Sequence, residues 1–386
     1  MEKAERLKKL PPYLFKEIDR LKNELEAKGA NIINLGVGDP DRPTPKHIIQ
    51  AGQKGLADPS AHCYPSYSGQ PSFREAVAEW YQRRFGVKLD PASQVLALIG
   101  SKEAVAHFPL AFVNPGEVVL CPTPAYPVYE VGTIFAEGEV FQMPLRPENG
   151  FFPDLGAIPK ETARQAKVIW LNYPNNPTSA EATVEQFQGV VDFALEHEVI
   201  VCHDAAYTEM TFDGYKAPSF LQTPGAMECA LEFHSFSKTY QMTGWRVGMA
   251  VGNAALVAGL SDIKSNVDSG VCQAIQEAAV AALKTPDKDL IENHAVYADR
   301  RRVAVEGLER LGLTVWSSRA TFYVWARVPA GLTSAQWAAR LIEEAQVVIT
   351  PGNGFGGGGE GWFRVALSVP KDRVAEAVDR MGRLAL

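Results

Sequence analysis

The residues best suited to chemistry sit together in Ser235-Phe236-Ser237-Lys238, with Arg246 eight positions after the lysine. An amine beside hydroxyl and guanidinium donors can form a Schiff base with an aldehyde while the donors hold a neighbouring phosphate dianion. This is the set of groups that anchors pyridoxal 5'-phosphate (PLP). Alone, Ser-x-Ser-Lys is a short string that also marks ordinary polar loops. Three other segments supply the remaining parts of such a site.

Gly100-Ser101-Lys102-Glu103 follows the apolar run 95–99 and opens a helical pattern. A glycine turn into a helix offers backbone N–H donors and a positive dipole end to a phosphate; equally, Ser101 is a simple N-cap. Asn172-Tyr173-Pro174-Asn175-Asn176-Pro177-Thr178 follows the run 168–171. Its prolines make a rigid turn that can aim an amide at a ring substituent, and turn chemistry alone also explains Asn-Pro. Asp204 ends the run that starts at Val199, with Tyr207 three residues on. A carboxylate at the end of a buried strand needs a partner. A pyridinium N–H is one, and the pairing keeps the ring an electron sink, with Tyr207 bonding its phenolic oxygen. The plainer alternative makes Asp204 a helix N-cap.

Lys238 would then hold the cofactor and act as general base and acid, a task for an amine that is neutral part of the time. Arg364, in Trp362-Phe363-Arg364-Val365, suits bidentate capture of a carboxylate. Tyr126 can stack on a pyridine ring, although a lone aromatic is more often core. The glycine-rich stretch 352–361 lacks a phosphate-cradle pattern and reads as a mobile or tightly turned support.

These groups need strand ends to position them. Nearly continuous apolar runs at 95–99, 118–121, 168–171, 199–202 and 231–234, with helical patterns at 101–113 and 183–197, give an α/β fold. The expectation is a large domain with a mostly parallel sheet sandwiched by helices, plus a smaller α+β domain. The smaller domain would have strands at 313–316, 321–328 and 362–368 and helices at 334–344 and 371–384. A helix over 12–28 and a long helical stretch over 266–310 complete the pattern. The domains divide as 45–276 (large) and 1–44 with 277–386 (small).

The chain has 386 residues, 46% hydrophobic and 22% charged, with net charge -7, a balance that argues against a nucleic-acid or anionic-membrane partner. Five scattered cysteines lack metal-ligand spacing and point to reduced thiols. No apolar leader or membrane-length run is present, so the expectation is a cytoplasmic protein with no metal.

In this order the motifs resemble the fold-type I PLP-dependent aminotransferases (class I/II), from Leu35-Gly36-Val37-Gly38-Asp39-Pro40 to Arg364. The resemblance implies that Lys238 is the Schiff-base lysine and that Asp204 pairs the pyridine nitrogen. Tyr207 and Asn176 would bond the phenolic oxygen, and Tyr126 would stack on the ring. Ser101, Lys102, Ser235, Ser237 and Arg246 would surround the phosphate, and Arg364 and Gly38 would bind the substrate α-carboxylate. It also implies a homodimer with shared active sites, in which Tyr64 reaches the neighbouring subunit's phosphate. Pro12-Tyr13-Leu14-Phe15 and Lys264-Ser265-Asn266-Val267 look most like LL-diaminopimelate aminotransferases, where Tyr13 and Asn266 touch substrate. The implied substrates are an amino acid and a 2-oxo acid: LL-diaminopimelate and 2-oxoglutarate, in lysine biosynthesis. A broad-specificity alanine- or methionine-type aminotransferase, or a cystathionine-type β-lyase, uses the same scaffold. A PLP-sensing regulator would need a DNA-binding extension that is not seen.

Overall fold

The computed structural model of the chain describes residues 2–10 and 15–384. The first apolar run forms a two-residue strand, β1 (Ile33–Asn34). The chain then builds a seven-stranded sheet from β2 (Val95–Leu98), β3 (Val118–Thr123), β4 (Glu139–Pro144), β5 (Ala166–Asn172), β6 (Ile200–Asp204), β7 (Ala230–Ser235) and β8 (Gly248–Gly252). The order across the sheet is β2-β8-β7-β6-β5-β3-β4. Only β8 runs against the others; it pairs antiparallel with β2 and β7, while the remaining contacts are parallel.

The apolar runs read from the sequence account for five of these strands. Two were not among them. β4 is an edge strand, exposed at Glu139, Gln142 and Pro144, so it lacks a continuous apolar signature. β8 is Gly-Met-Ala-Val-Gly, whose glycines read as loop although every residue is buried.

Alternating strand residues face two helical layers. Leu96, Val168, Trp170 and Phe233 pack with Phe108, Tyr129 and Leu260, on the side of helices Ser101–Phe112, Val128–Phe135 and Ala254–Val267. Ile169, Leu171 and Val201 pack with Phe73, Val77, Phe187 and Val190, on the side of Pro71–Phe85 and Val184–His197. Thr183 starts the last of these with a capping box: its hydroxyl accepts from Gln186 N, and Gln186 returns the bond to Thr183 N.

The smaller unit has an antiparallel sheet of β9 (Tyr323–Arg327), β11 (Thr350–Pro351) and β12 (Trp362–Ala366), in the order β11-β12-β9. β1 pairs in parallel with β10 (Val347–Val348), which ties the two ends of the chain together. Helices Asp287–Arg310, Ser334–Ala345 and Lys371–Met381 enclose a second core around Tyr297, Phe322, Trp337 and Phe363. The expected strand at 313–316 is reduced to one bridge, Val315 to Ala326, flanked by single backbone bonds at Thr314 and Trp316. The expected long helix over 266–310 is interrupted at Gly270 and Pro286, leaving Gln273–Leu283 and Asp287–Arg310. Residue 276 lies inside Gln273–Leu283, which packs on Lys46–Leu56 and Pro71–Phe85. We therefore propose the domain junction at 284–286. Among the described residues, no helix is long and apolar enough to cross a membrane.

Candidate active site

A cavity of about 440 Å³ opens beyond the carboxyl ends of the parallel strands, the usual ligand position in such sheets. Both units line it. Ser101, Lys102, Tyr126, Asn176, Asp204, Tyr207, Ser235, Ser237, Lys238 and Arg246 come from the large sheet's loops, and Gly38 and Arg364 from the smaller unit.

Lys238 sits in the four-residue helix Phe236–Thr239 directly after β7, with the Ser235 hydroxyl capping Ser237 N at 3.2 Å. Its Nζ donates to Gly38 O at 2.7 Å. Burial lowers its pKa to about 8; Arg364 and Arg246 push the same way, and Asp39 opposes them. The amine thus changes charge close to neutral pH. Because the free base is the nucleophile, acylation of Lys238 by a small amine reagent is expected to rise with pH to a midpoint near 8. Peptide mass spectrometry of the cofactor-free chain reads this; a midpoint above about 10, the value of a free lysine, would contradict it.

Asp204 ends β6 and is buried on all sides. Tyr129 Oη donates to its Oδ2 at 2.8 Å, and Ala206 N donates to Oδ1 at 3.3 Å. Burial raises its carboxyl, opposed by the Tyr129 bond and by His203. No helix follows, so the N-cap alternative fails and Asp204 has no cation bonded to it among the described residues. Asn172, at the end of β5, donates Nδ2 to Asp204 O at 2.6 Å and accepts from Asn176 N at 2.7 Å. The Asn-Pro turn is fastened to the aspartate strand in this way.

Tyr207 Oη lies 3.0 Å from Tyr323 Oη. Tyr323 also presses on Gly38: a Cβ built there would meet Tyr323 Oη at 2.1 Å, so the close approach requires glycine. Arg364 is buried between the rings of Tyr323 and Phe355, at 4.2 and 4.8 Å. It donates Nη1 to Asn176 Oδ1 at 2.7 Å and Nη2 to Gly36 O at 2.8 Å, and its Nε has no partner. Burial lowers its pKa. Among the described residues no carboxylate neutralises it, which leaves a fixed cation on the cavity wall.

At the other end, Gly100 with φ +74° takes the cap position and Ser101 opens helix Ser101–Phe112, so Ser101 is not the cap. A Cβ on Gly100 would meet Arg246 Nη2 at 2.3 Å. Arg246 itself has φ +55° and donates Nη1 to Thr243 O at 2.9 Å. Helix N-terminus, guanidinium, lysine and serine hydroxyls thereby converge on one end of the cavity.

The glycine-rich stretch is tightly turned, as Gly352–Phe355 and Gly357–Gly359. Phe355 O accepts from Ala125 N at 2.9 Å, and Gly358 N donates to Thr123 Oγ1 at 3.0 Å. The loop thus supports the segment bearing Tyr126 and delivers Phe355 to the cavity. Tyr126 is half-buried, edge-on to Tyr129 at 5.9 Å.

Two expected residues lie elsewhere. Tyr64 is 90% exposed, and Asn266 is exposed with Nδ2 bonded to Asp262 O at 2.8 Å. Neither borders the cavity in a single chain. Tyr13 lies outside the described residues. Conversely, Tyr129, Tyr323 and Phe355 were not singled out from sequence, and Asn172 was read only as the first residue of its motif. Tyr129 stands near the segment bearing Tyr126, Tyr323 sits in an apolar context that signals only core, and Phe355 lies within the glycine-rich stretch.

The chain matches the family of class I and II aminotransferases over residues 30–381. It is 59% identical over 383 residues to the LL-diaminopimelate aminotransferase of Syntrophobacter fumaroxidans, with 99% of each chain covered. It is 55% identical to the enzyme of that name from Aquifex aeolicus, with all of both chains covered. Its fold superposes on apo-BacF from Bacillus subtilis with TM-score 0.96 at 36% identity, over 100% of this chain and 99% of that one. Enzymes of this family depend on PLP and exchange amino groups between amino acids and oxo acids. A helix-sandwiched, mostly parallel sheet with a lysine, a buried aspartate and a buried arginine around one cavity agrees with that assignment, and the chain belongs to the class I and II aminotransferases.

Proposed function

We propose that the cavity binds PLP and that the enzyme transfers the amino group of LL-diaminopimelate to 2-oxoglutarate, a step of lysine biosynthesis. The observation that carries the cofactor reading is the pairing of a buried, cation-free Asp204 carboxylate with a Lys238 amine lowered to about 8 in the same cavity. The carboxylate calls for an N–H⁺ such as a pyridinium, and the amine calls for an electrophile. The donor set at the Arg246 end suits a phosphate dianion. The residues present fit the group.

Asp204 would hold the ring nitrogen, Tyr207 and Asn176 the phenolic oxygen, and Tyr126 one ring face. Ser101, Lys102, Ser235, Ser237 and Arg246 would hold the phosphate. Bound there, PLP would supply an electron sink for charge developing at the substrate Cα. Arg364 would clamp the α-carboxylate in bidentate fashion beside Gly38, fixing which Cα bond faces Lys238. Lys238 Nζ would remove and return the Cα proton, a task matched to an amine that titrates near neutrality.

Exposed Tyr64 supports a homodimer in which it reaches the neighbouring subunit's phosphate; Asn266 and Tyr13 would contribute substrate contacts. The reading places the enzyme in the cytoplasm. The identity to enzymes named for LL-diaminopimelate supports the substrate. Single amino acids mixed with the PLP-loaded protein would be followed by loss of the cofactor's visible absorbance. LL-diaminopimelate is expected to react fastest; no response to it, with a fast one to alanine or methionine, would overturn the substrate.

A further inference from the structure

Behind the cavity, on the opposite face of the sheet, lies a buried polar cluster that none of the roles above uses. Its centre is Glu232 on β7, fully buried. Five donors meet its carboxylate: Tyr81 Oη at 2.7 Å, Ser219 Oγ at 2.8 Å, Phe220 N at 2.6 Å, His203 Nδ1 at 2.9 Å and His234 Nε2 at 2.9 Å. Burial alone would raise this carboxyl, but the bonds from His203 and His234 hold it well below the usual carboxylate range. A buried glutamate so satisfied is an anion, held by the donors that surround it.

His203 supplies one of these donors. Its Nδ1 faces the carboxylate of Glu232, an acceptor that requires an N–H there. Its Nε2 lies 3.0 Å from Tyr173 O and 3.3 Å from Tyr173 N, which donates to it. Glu232 and Tyr173 thus hold the ring at both ends. Strand alternation then places the next residue, Asp204, on the cavity face, and the residue before Tyr173, Asn172, also lines the cavity. The cluster thus binds the strand ends of β5 and β6 from behind, with the His203 ring on the residue next to the aspartate.

We propose that Glu232 is a positioning residue for the pyridine end of the site: it fixes the His203 ring between β5 and β6, which keeps Asp204 placed. This rests on the PLP reading. Stripping water from Asp204 favours its neutral form, and the neighbouring imidazoles oppose that preference. His203 and His234 both act on Asp204 in this direction.

Glu232→Gln keeps the size of the side chain and removes the anion. PLP binding to the cofactor-free full-length chain would be titrated by tryptophan fluorescence, with inorganic phosphate as a competitor reporting on the phosphate end alone. The expected result is a PLP Kd about tenfold or more above wild type, while the phosphate constant moves by less than about twofold. Tyr81→Phe removes a neutral donor from the same carboxylate and spares both imidazoles; its PLP Kd is expected within about twofold of wild type. An unchanged PLP Kd in Glu232→Gln, an equal loss at both ends of the site, or an equal loss in Tyr81→Phe would each overturn the proposal. Because Glu232→Gln can also fail to fold, the wild-type chain carries its own test. Nitrogen-15 shifts of His203 should show the proton on Nδ1, the nitrogen that faces Glu232, and an unprotonated Nδ1 overturns the proposal. If wild type shows no saturable PLP binding, it is the cofactor reading that falls.

Discussion

Lys238→Ala should lower transamination by roughly a thousandfold or more while leaving the protein folded. The side chain makes one hydrogen bond, to Gly38 O, and carries a charge that burial disfavours, so its removal costs the fold little. The cost to the reaction is larger because no other group is placed for the proton. Tyr207 is held far in its neutral form by burial and by Tyr323, and Asp204 is turned to Tyr129. Single-turnover amino-group transfer from a fixed amino acid measures the effect. A rate within about tenfold of wild type would remove Lys238 from the role given to it, since one proton-transfer group contributes roughly 100- to 10,000-fold.

Asp204→Asn comes second, with turnover expected to fall by roughly a hundredfold or more and PLP affinity to weaken with it. The substitution keeps the shape: the amide oxygen can still accept from Ala206 N, and the amide nitrogen then faces the Tyr129 hydroxyl, which can turn to accept from it. What it removes is the negative charge, and with it the reason for a ring nitrogen to stay protonated. Stability should hold or rise, since a buried amide is less costly than a buried carboxylate. Steady-state kinetics together with a thermal melt separate the two effects; turnover within about threefold of wild type would sink the pairing.

Much of this site was legible because its parts are attached to strand ends. A buried parallel strand leaves an apolar run, and the polar residue that terminates it stands out: Asn172, Asp204 and Ser235 each follow such a run. One helix start was visible for the same local reason: the helical pattern read from Thr183 begins at the residue that caps it. Legibility failed where the determining contact is distant in sequence. Tyr323 matters because it meets Tyr207 and Gly38, which lie 116 residues away from it in one case and much farther in the other. Phe355 looked like part of a glycine-rich spacer until the fold laid it on Arg364. β8 was hidden by its flanking glycines, whose smallness is what lets it sit between β2 and β7. In Glu232, a charge inside an apolar run carried no local hint that five donors from four separate segments would surround it.

The pairing of β1 with β10, and the meeting of Gly38 with Lys238 and Arg364 at one cavity, have a consequence for how the chain is made. During synthesis the aspartate, the lysine and the phosphate-end donors are all out before the strand that carries Arg364 exists, and the segment bearing Gly38 must wait for a partner more than three hundred residues behind it. The large sheet can therefore form early, but β1 stays unpaired until β10 has been translated. Anything that binds across the finished cavity holds the first-made and last-made parts of the chain together, and by mass action it stabilises only the completed product.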